Sequence, residues 1–298
     1  METVTNSEFM ECWLKFHYEF RPGWLHHYTT ADGLLGIVRS KAIFGTHYQF
    51  LNDSLELVWG TEVVARHIRE YIANAEDHVK EALQQFEGAK IEEHWDVYVT
   101  CFCTEDNLLS QWRAYGRSGG YALAFRQLDL IGLCQARERC LRKVIYEHSE
   151  HDRWIRLALD WFVQQAKAII LIKDPFAAES ARQEIVNVMW RAICEMCISF
   201  KLDVFKEESE WRAIEFLPRN ETNGVNFRSK AGILVPYRSF PIEQRQDEKI
   251  LRALDHVTCG PTLSREDVKW SVILLLRSQG FSDVWVNNSM IPLNAALE

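Results

Sequence analysis

Histidine, aromatic, carboxylate and guanidinium side chains stand at the ends of predicted strands, where binding and catalytic sites are commonly built. His27 and Tyr28 end a short aromatic segment that precedes a predicted helix. Glu210 and Arg212 share one face of a later predicted strand, on either side of Trp211. Each has a structural explanation, since a Glu-x-Arg pair is usually an ion pair and His27 can be a satisfied, half-buried histidine. Together they indicate one polar site.

Two further segments carry side chains of the same kinds. A tight turn holds Asn52, Asp53 and Glu56, and a short helix after a buried strand holds Trp112 and Tyr115. The standard phosphate-loop, dinucleotide, zinc-protease and serine-hydrolase signatures are absent from the sequence. The glycine-rich residues 116–120 join a helix to a strand, whereas phosphate-binding loops precede a helix, so we predict a turn there.

Metal ligation and disulfide bonding have weaker support. His148 and His151, with neighbouring carboxylates, have the residue types of a metal site, but their segment is typical of an exposed loop that enters a helix, and no metal is expected. The Cys194/Cys197 pair lies in an apolar helix and predicts core packing. The eight cysteines of this long chain are typical of free thiols in a reducing compartment.

Charge and hydropathy exclude some classes of function. With 34 basic and 42 acidic residues the net charge is −8, which is unfavourable for general nucleic-acid binding. The densest basic run predicts a solvated helix face and consists of Arg137, Arg139, Arg142 and Lys143. No secretory leader and no apolar run of roughly 20 residues occurs, so we expect a cytoplasmic protein that does not engage a membrane.

The hydrophobic pattern predicts an α+β fold. Strands are predicted at residues 24–28, 43–50, 95–103, 121–125, 141–146, 210–217, 232–237 and 284–287, and helices at 8–20, 30–38, about 55–87 and 265–278. Residues 152–203 have helical periodicity that breaks at 173–175, which predicts a helical pair inserted between strands. We therefore expect a single domain over 1–298, with a mixed or antiparallel, split central sheet flanked by helices.

The chain resembles a family of bacterial proteins known only as a domain of unknown function. The resemblance covers most of residues 24–292 and rests on His27-Tyr28-Thr29 with Leu34-Leu35-Gly36-Ile37, Leu51-Asn52-Asp53 with Glu56, Cys101-Phe102 with Trp112, Tyr115, Gly120 and Phe125, Glu210-Trp211-Arg212, Gly260-Pro261 and Ser289-Met290-Ile291-Pro292. Many members continue with Tyr-Arg, where this chain has Leu293-Asn294. The family implies no chemistry.

A second resemblance implies a mechanism. The His-x-Thr strand, the following Leu-x-x-Ile helix and a late strand glutamate resemble the layout of ADP-ribosyltransferases, including DarT-type toxins and poly-ADP-ribose polymerases. The resemblance implies an ADP-ribosyltransferase-like fold with NAD as substrate. His27 would bind a ribose hydroxyl, and Glu210 would accept a hydrogen bond from the ribose 2-hydroxyl and steady an oxocarbenium-like charge.

The remaining candidate residues complete this NAD site. Tyr28 or Tyr115 would supply the aromatic ring that stacks on nicotinamide. The set of predicted NAD-binding residues is Tyr28, Thr29, Asn52, Trp112, Tyr115 and Arg212.

Three functions are consistent with these residues. The first is NAD-dependent ADP-ribosyl transfer or NAD hydrolysis in toxin or phage-defence biology, with a protein, a nucleic acid or water as acceptor and an antitoxin as a candidate partner. The second is a non-catalytic sensor module that uses His27, Trp112 and Arg212 to hold a ligand or a partner peptide. The third, metal-dependent hydrolysis at His148 and His151, would require a bound metal.

Overall fold

The computed structural model describes residues 23–51, 54–115, 120–136, 139–246, 249–262 and 265–292. The predicted helix at 8–20, the turn at Asn52-Asp53 and residues 116–119 of the predicted glycine-rich turn lie outside the described residues. No helix of the described chain is long and apolar enough to cross a membrane.

Twelve strands and eight α-helices make up the regular structure of the described residues. The strands are β1 (Trp24–Thr29), β2 (Ala42–His47), β3 (Trp95–Cys103), β4 (Tyr121–Arg126), β5 (Cys140–Lys143), β6 (Glu210–Pro218), β7 (Asn226–Lys230), β8 (Ile233–Pro241), β9 (Glu243–Gln246), β10 (Lys249–Arg252), β11 (Leu254–Cys259) and β12 (Trp285–Asn288). The helices are α1 (Ala31–Ser40), α2 (Ser54–Ala73), α3 (Asp77–Leu83), α4 (Leu109–Tyr115), α5 (Gln127–Gln135), α6 (His148–Ile169), α7 (Pro175–Ser199) and α8 (Arg265–Ser278).

Ten of the strands form one mixed sheet, which confirms the predicted α+β class. Its main order is β12-β11-β4-β1-β3-β2-β8-β7, and β6 joins β3 to β5. Strands β11 and β12 pair in parallel, whereas the other pairs are antiparallel. The helical pair α6–α7 is separated by a break at which Asp174 caps α7 and Pro175 takes its first turn, as the sequence predicts.

Each face of the sheet packs against a different set of helices. The face that presents Val97, Val99 and Cys101 of β3 is covered by α2, α3, α6 and α7, and we call it the α7 face. The opposite face presents Tyr98 and Phe102 and is covered by α1, α5 and α8; we call it the α1 face. Because side chains alternate along a strand, the pairing register assigns each residue to one of these faces.

Helix α1 shows how local sequence positions an element over the sheet. Thr30 caps the helix by accepting a hydrogen bond from the backbone N–H of Gly33, and Leu34, Ile37 and Val38 point into the core. A Cβ at position 33 would lie 1.9 Å from Oγ1 of Thr29, so glycine allows the helix to lie directly against the end of β1.

Three buried glutamates, exposed by 3%, 5% and 7%, each bind two cationic side chains. The three sets are Glu195 with Arg142 and Arg191, Glu210 with Arg212 and Lys201, and Glu215 with Arg139 and Arg238. These pairs connect β5, β6, β8 and the end of α7. Breaking such a pair leaves a buried charge without compensation and typically costs about 3–5 kcal/mol.

Three predictions of local structure are wrong, one of them the strand predicted at 141–146, which ends at Lys143. Arg139 and Arg142, predicted to lie on a solvated helix face, are buried immediately before and within β5, where Glu215 and Glu195 neutralise them. The strand predicted for residues 43–50 ends at His47, because its pairing with β8 stops at Thr46 and a 3-10 turn follows.

The contact between α2 and α7 depends on Gly60. A Cβ at this position would lie 2.2 Å from the carbonyl oxygen of Cys197, and backbone cannot move aside as a flexible side chain can. We expect Gly60→Ala to lower the free energy of unfolding by about 1–3 kcal/mol, measured by urea denaturation, although alanine is the better helix former.

Gly132 is the matched control, since it lies in α5 and a Cβ there meets nothing within 4 Å. Gly132→Ala should raise the free energy of unfolding by up to about 1 kcal/mol. Equal, stabilising effects of both substitutions would contradict the close approach of α2 and α7.

Candidate functional site

The central sheet forks at β3. One edge of β3 pairs with β6 along its whole length, from Trp95 to Cys103. The other edge is shared by two strands: β1 pairs there only at Cys103, and β2 pairs only at Tyr98 and Val99. Between these contacts neither strand forms a ladder with residues 100–102. We call this gap in the strand pairing the fork; it is bounded by residues 27–29, 43–45 and 100–102.

Side chains replace the missing ladder at the fork. Nδ1 of His27 lies 2.9 Å from the carbonyl oxygen of Cys101. The hydroxyl of Thr100 donates to the carbonyl oxygen of Phe44 at 3.2 Å. The ring of His27 meets that of Phe102 edge-on at 5.9 Å. The imidazole therefore occupies a position where a strand hydrogen bond would otherwise form.

The contact with Cys101 fixes the protonation of His27. A carbonyl oxygen only accepts hydrogen bonds, so Nδ1 carries the proton and Nε2 of the neutral ring is an acceptor. Burial lowers the pKa of His27 below its ordinary 6.5; the bond to Cys101 opposes this shift, and the guanidinium of Arg228 adds to it. No described residue hydrogen-bonds to Nε2. His27 thus offers a neutral acceptor at the fork.

Glu210 is buried in a network of cations on β6. Its carboxylate accepts two hydrogen bonds from Arg212, at 2.8 and 2.9 Å, and one from Lys201 at 3.1 Å. The side chain of Cys101 lies on the same face of the sheet as this carboxylate and acts on its charge. Arg212 also donates to the carbonyl oxygen of Ile198, which ties the network to the end of α7.

The electrostatic environment keeps Glu210 ionised. Burial by itself raises the pKa of Glu210, but Arg212, Lys201 and the side chain of Cys101 outweigh it and lower the pKa to about 2. Lys201 also binds Glu208 at 2.7 Å, so two carboxylates face two cations in this network. The negative charge of Glu210 is therefore compensated locally.

His27 and Glu210 approach Cys101 from different sides. Register places His26 beside Cys103 and Cys103 beside Glu210, so these residues share the α7 face. His27, the next residue after His26, points the other way, toward Phe102 on the α1 face. His27 binds the carbonyl of Cys101, whereas the side chain of Cys101 faces Glu210 on the α7 face, and no contact between the two predicted catalytic residues is found.

Tyr28 and Trp112 belong to a small aromatic core on the α7 face. Their rings meet edge-on at 4.8 Å, and Trp112 is 1% exposed. The hydroxyl of Tyr28 donates to the carbonyl oxygen of Glu105 at 2.8 Å and accepts from the N–H of Leu108 at 3.1 Å. Both residues therefore position the loop that leads from β3 to α4.

The other predicted NAD-binding residues are dispersed. Thr29 packs against Gly33 at the start of α1, and Tyr115 is exposed at the end of α4. Arg212 is engaged with Glu210. Asn52 lies outside the described residues.

Sequence reasoning missed several residues around the fork. Lys201, Cys101, Phe44, Thr46 and Arg228 were not candidates. Lys201 had a signal, since it is a lone cation that ends the apolar segment Cys194–Phe200 yet is only 3% exposed. The sequence gives little indication that Arg228 is part of a site, because β7 is mostly exposed and shows no hydrophobic alternation.

Histidines and cysteines do not assemble a metal site in the part of the chain that the structure describes, where no group of three or more potential ligands occurs. His151 is fully buried and hydrogen-bonds through Nε2 to the carbonyl oxygen of Ile145 at 2.8 Å, while His148 is exposed. Cys194 and Cys197 are buried free thiols, which confirms their predicted core packing.

Residues 111–213 match the model of a family described as a protein of unknown function (DUF2971). This segment runs from α4 to β6 and contains Trp112, Glu210 and Arg212. The predicted resemblance to a family of unknown function is confirmed for these residues. No curated protein and no solved structure matches the chain significantly.

The network around Glu210 predicts a large effect on stability. Glu210→Gln removes the charge that compensates Arg212 and Lys201, so we expect the free energy of unfolding at pH 7 to fall by about 3–5 kcal/mol in urea denaturation. Glu93→Gln, at an exposed pair with Lys90, is the control and should change it by less than about 1 kcal/mol.

The pH dependence gives the same prediction a second readout. Because folding lowers the pKa of Glu210 from 4.5 to about 2, its stabilisation is complete above pH 4.5 and is lost as the pH falls toward 2. The stability difference between wild type and Glu210→Gln should shrink over that interval. A constant difference would contradict the low pKa.

Proposed function

We propose that this chain is a ligand-binding module that recognises NAD or ADP-ribose at the fork. The observation that carries the proposal is the position of His27, whose neutral Nε2 has no hydrogen-bond partner among the described residues. A ribose hydroxyl is a donor of the kind that such a nitrogen accepts. The bond to Cys101 orients the imidazole, so little reorganisation is required when a ligand binds.

Compensation of the negative charge of Glu210 by Arg212 and Lys201 supports ligand binding rather than glycosyl transfer. An oxocarbenium-like state is stabilised by a carboxylate whose negative field reaches the sugar ring. Here Arg212 and Lys201 occupy both oxygens, and Glu210 is 5% exposed. Releasing the carboxylate toward a substrate would leave Arg212 buried without its partner, which is costly.

NAD-dependent ADP-ribosyl transfer or NAD hydrolysis is the second candidate. It is favoured by one specific feature: a neutral histidine and an ionised carboxylate reach the same residue, Cys101, from two sides of β3. In either case the proposed setting is the bacterial cytoplasm, in toxin or phage-defence biology. The acceptor would be a protein, a nucleic acid or water, and an antitoxin is a candidate partner.

Titration calorimetry with ADP-ribose and NAD tests the proposed binding. His27→Asn keeps an amide near the Nδ1 position, where it can still donate to Cys101, but removes the Nε2 acceptor. We expect it to weaken ADP-ribose binding about tenfold, the effect of one hydrogen bond of about 1.4 kcal/mol. The control His148→Asn alters an exposed histidine of α6 and should bind like wild type. Absence of binding to wild type at millimolar concentration would refute the proposed function.

Nicotinamide release from NAD separates the two candidates. We expect no release by the wild type, with or without acceptors from a cell lysate, because the charge of Glu210 is compensated. Release by wild type that is lost in both His27→Asn and Glu210→Gln, under conditions where both variants are folded by circular dichroism, would replace the binding module with the transferase.

A further inference from the structure

Helix α8 carries large apolar side chains on two opposite faces. Its inner face packs on the α1 face of the sheet through Val272 and Leu276, which are buried. Its outer face carries Trp270 and Leu274, which are 54% and 50% exposed. Because residues four apart are neighbours on a helix surface, these two side chains form one apolar patch. A helix that only covers a sheet typically carries polar residues on its outer face.

Two residues of opposite charge border this patch, one at each end. Asp267 precedes Trp270 by three residues, and Arg277 follows Leu274 by three. Both charged side chains are exposed. The alternating spacing of three and four residues is that of the positions through which two helices pack side by side. We call Asp267, Trp270, Leu274 and Arg277 the α8 stripe.

The two charges of the α8 stripe have no counter-charge within the described chain. No cation of the described residues pairs with Asp267, and no carboxylate pairs with Arg277. The guanidinium carbon of Arg277 lies 5.9 Å from the centre of the Trp270 ring, so this charge is held beside the apolar patch. By contrast, the neighbouring Glu266 accepts a hydrogen bond from Asn288 at 3.2 Å. Both ends of the stripe are therefore open to an ion pair with a partner.

The α8 stripe is complementary to a second copy of itself. A two-fold axis that meets the outer face of α8 level with Val272 exchanges residues that lie equally far on either side. Asp267 and Arg277 are each five residues from this position, and Trp270 and Leu274 are each two residues from it. Two antiparallel copies thus place Asp267 opposite Arg277, and each such contact occurs twice. Parallel copies would instead bring like charges together.

We propose that this chain forms a two-fold dimer in which the α8 stripes of two copies pack antiparallel. Such a dimer does not require a ligand at the fork. At a rise of 1.5 Å per residue the stripe extends over about 15 Å, so the contact area is small and the dimer is of the transient class. The net charge of −8 on each copy is screened beyond about 8 Å at physiological ionic strength and does not prevent this contact.

Sedimentation velocity over a concentration series, at physiological ionic strength, tests the dimer. We expect the average mass of wild type to rise from that of one chain toward that of two. Leu274→Asp places a carboxylate in the apolar patch and should weaken self-association about tenfold or more. The control Leu128→Asp makes the same change at a leucine of α5 that is 52% exposed, and it should behave like wild type.

Wild type that remains a single chain up to about millimolar concentration would overturn the inference and assign the α8 stripe to a different partner. Equal self-association of wild type and Leu274→Asp would overturn it as well, because the dimer would then use another surface.

Charge reversal tests the antiparallel arrangement. Asp267→Arg places arginines opposite each other at both ends of the interface, and Arg277→Asp places aspartates there. Each single variant should weaken self-association about tenfold. The double variant exchanges the two charges and keeps the net charge, so its self-association should return close to that of wild type. A double variant that associates no better than the single variants would overturn the inference.

Thermal unfolding of the dilute, monomeric protein separates association from an effect on the single chain. All of these substitutions alter exposed side chains, so the melting temperatures should stay within a few degrees of wild type. A larger fall for Leu274→Asp than for Leu128→Asp would show that Leu274 stabilises the single chain, and it would overturn the assignment of this residue to an interface.

Discussion

Ion pairs between buried carboxylates and pairs of cationic side chains fix the arrangement of the strands at the centre of this protein. Glu195, Glu210 and Glu215 cannot remain ionised away from water unless basic side chains replace the solvent. Two of them, Glu210 and Glu215, belong to β6, and their partners come from the end of α7, from β8 and from the start of β5. These ion pairs therefore fix β6 and its neighbours in one arrangement. Because β6 occupies one entire edge of β3, β1 and β2 must share the other edge, and the fork is the result.

This arrangement separates groups that a glycosyl-transfer site would bring together. Glu210 is ionised, but its charge is directed at Arg212 and Lys201 within the protein. His27 instead lies in the fork, where the ladder of β3 is interrupted, and hydrogen-bonds to the carbonyl oxygen of Cys101. The opposite case is Arg228, a cation with no carboxylate partner in the part of the chain that the structure describes.

The parts of the fold that were predictable share a strong local pattern. The bounds of β3 follow from strict alternation over residues 95–103, and α1 follows from its cap at Thr30 and a single apolar stripe. The ion pair between Glu210 and Arg212 was also predictable from the sequence, because residues two apart on a strand share a face. Strand β7 was missed because its mostly exposed residues carry no hydrophobic period, and α5 because its apolar residues are not arranged on one face.

The sequence by itself determined the α+β class, the helical pair, the central strand and most of the residue types at the candidate site, since all of these depend on neighbours within a few residues. Tertiary structure alone decided which charges are buried and which side chains compensate them. The local sequence predicts that Arg139 and Arg142 lie on a solvated helix face. They are buried instead, because their partners Glu215 and Glu195, which lie 76 and 53 residues away along the chain, neutralise them. The face on which His27 lies depends equally on a register with β3, more than 70 residues distant. Electrostatic energy depends on distance in space and on exclusion of water, and neither quantity is a property of local sequence.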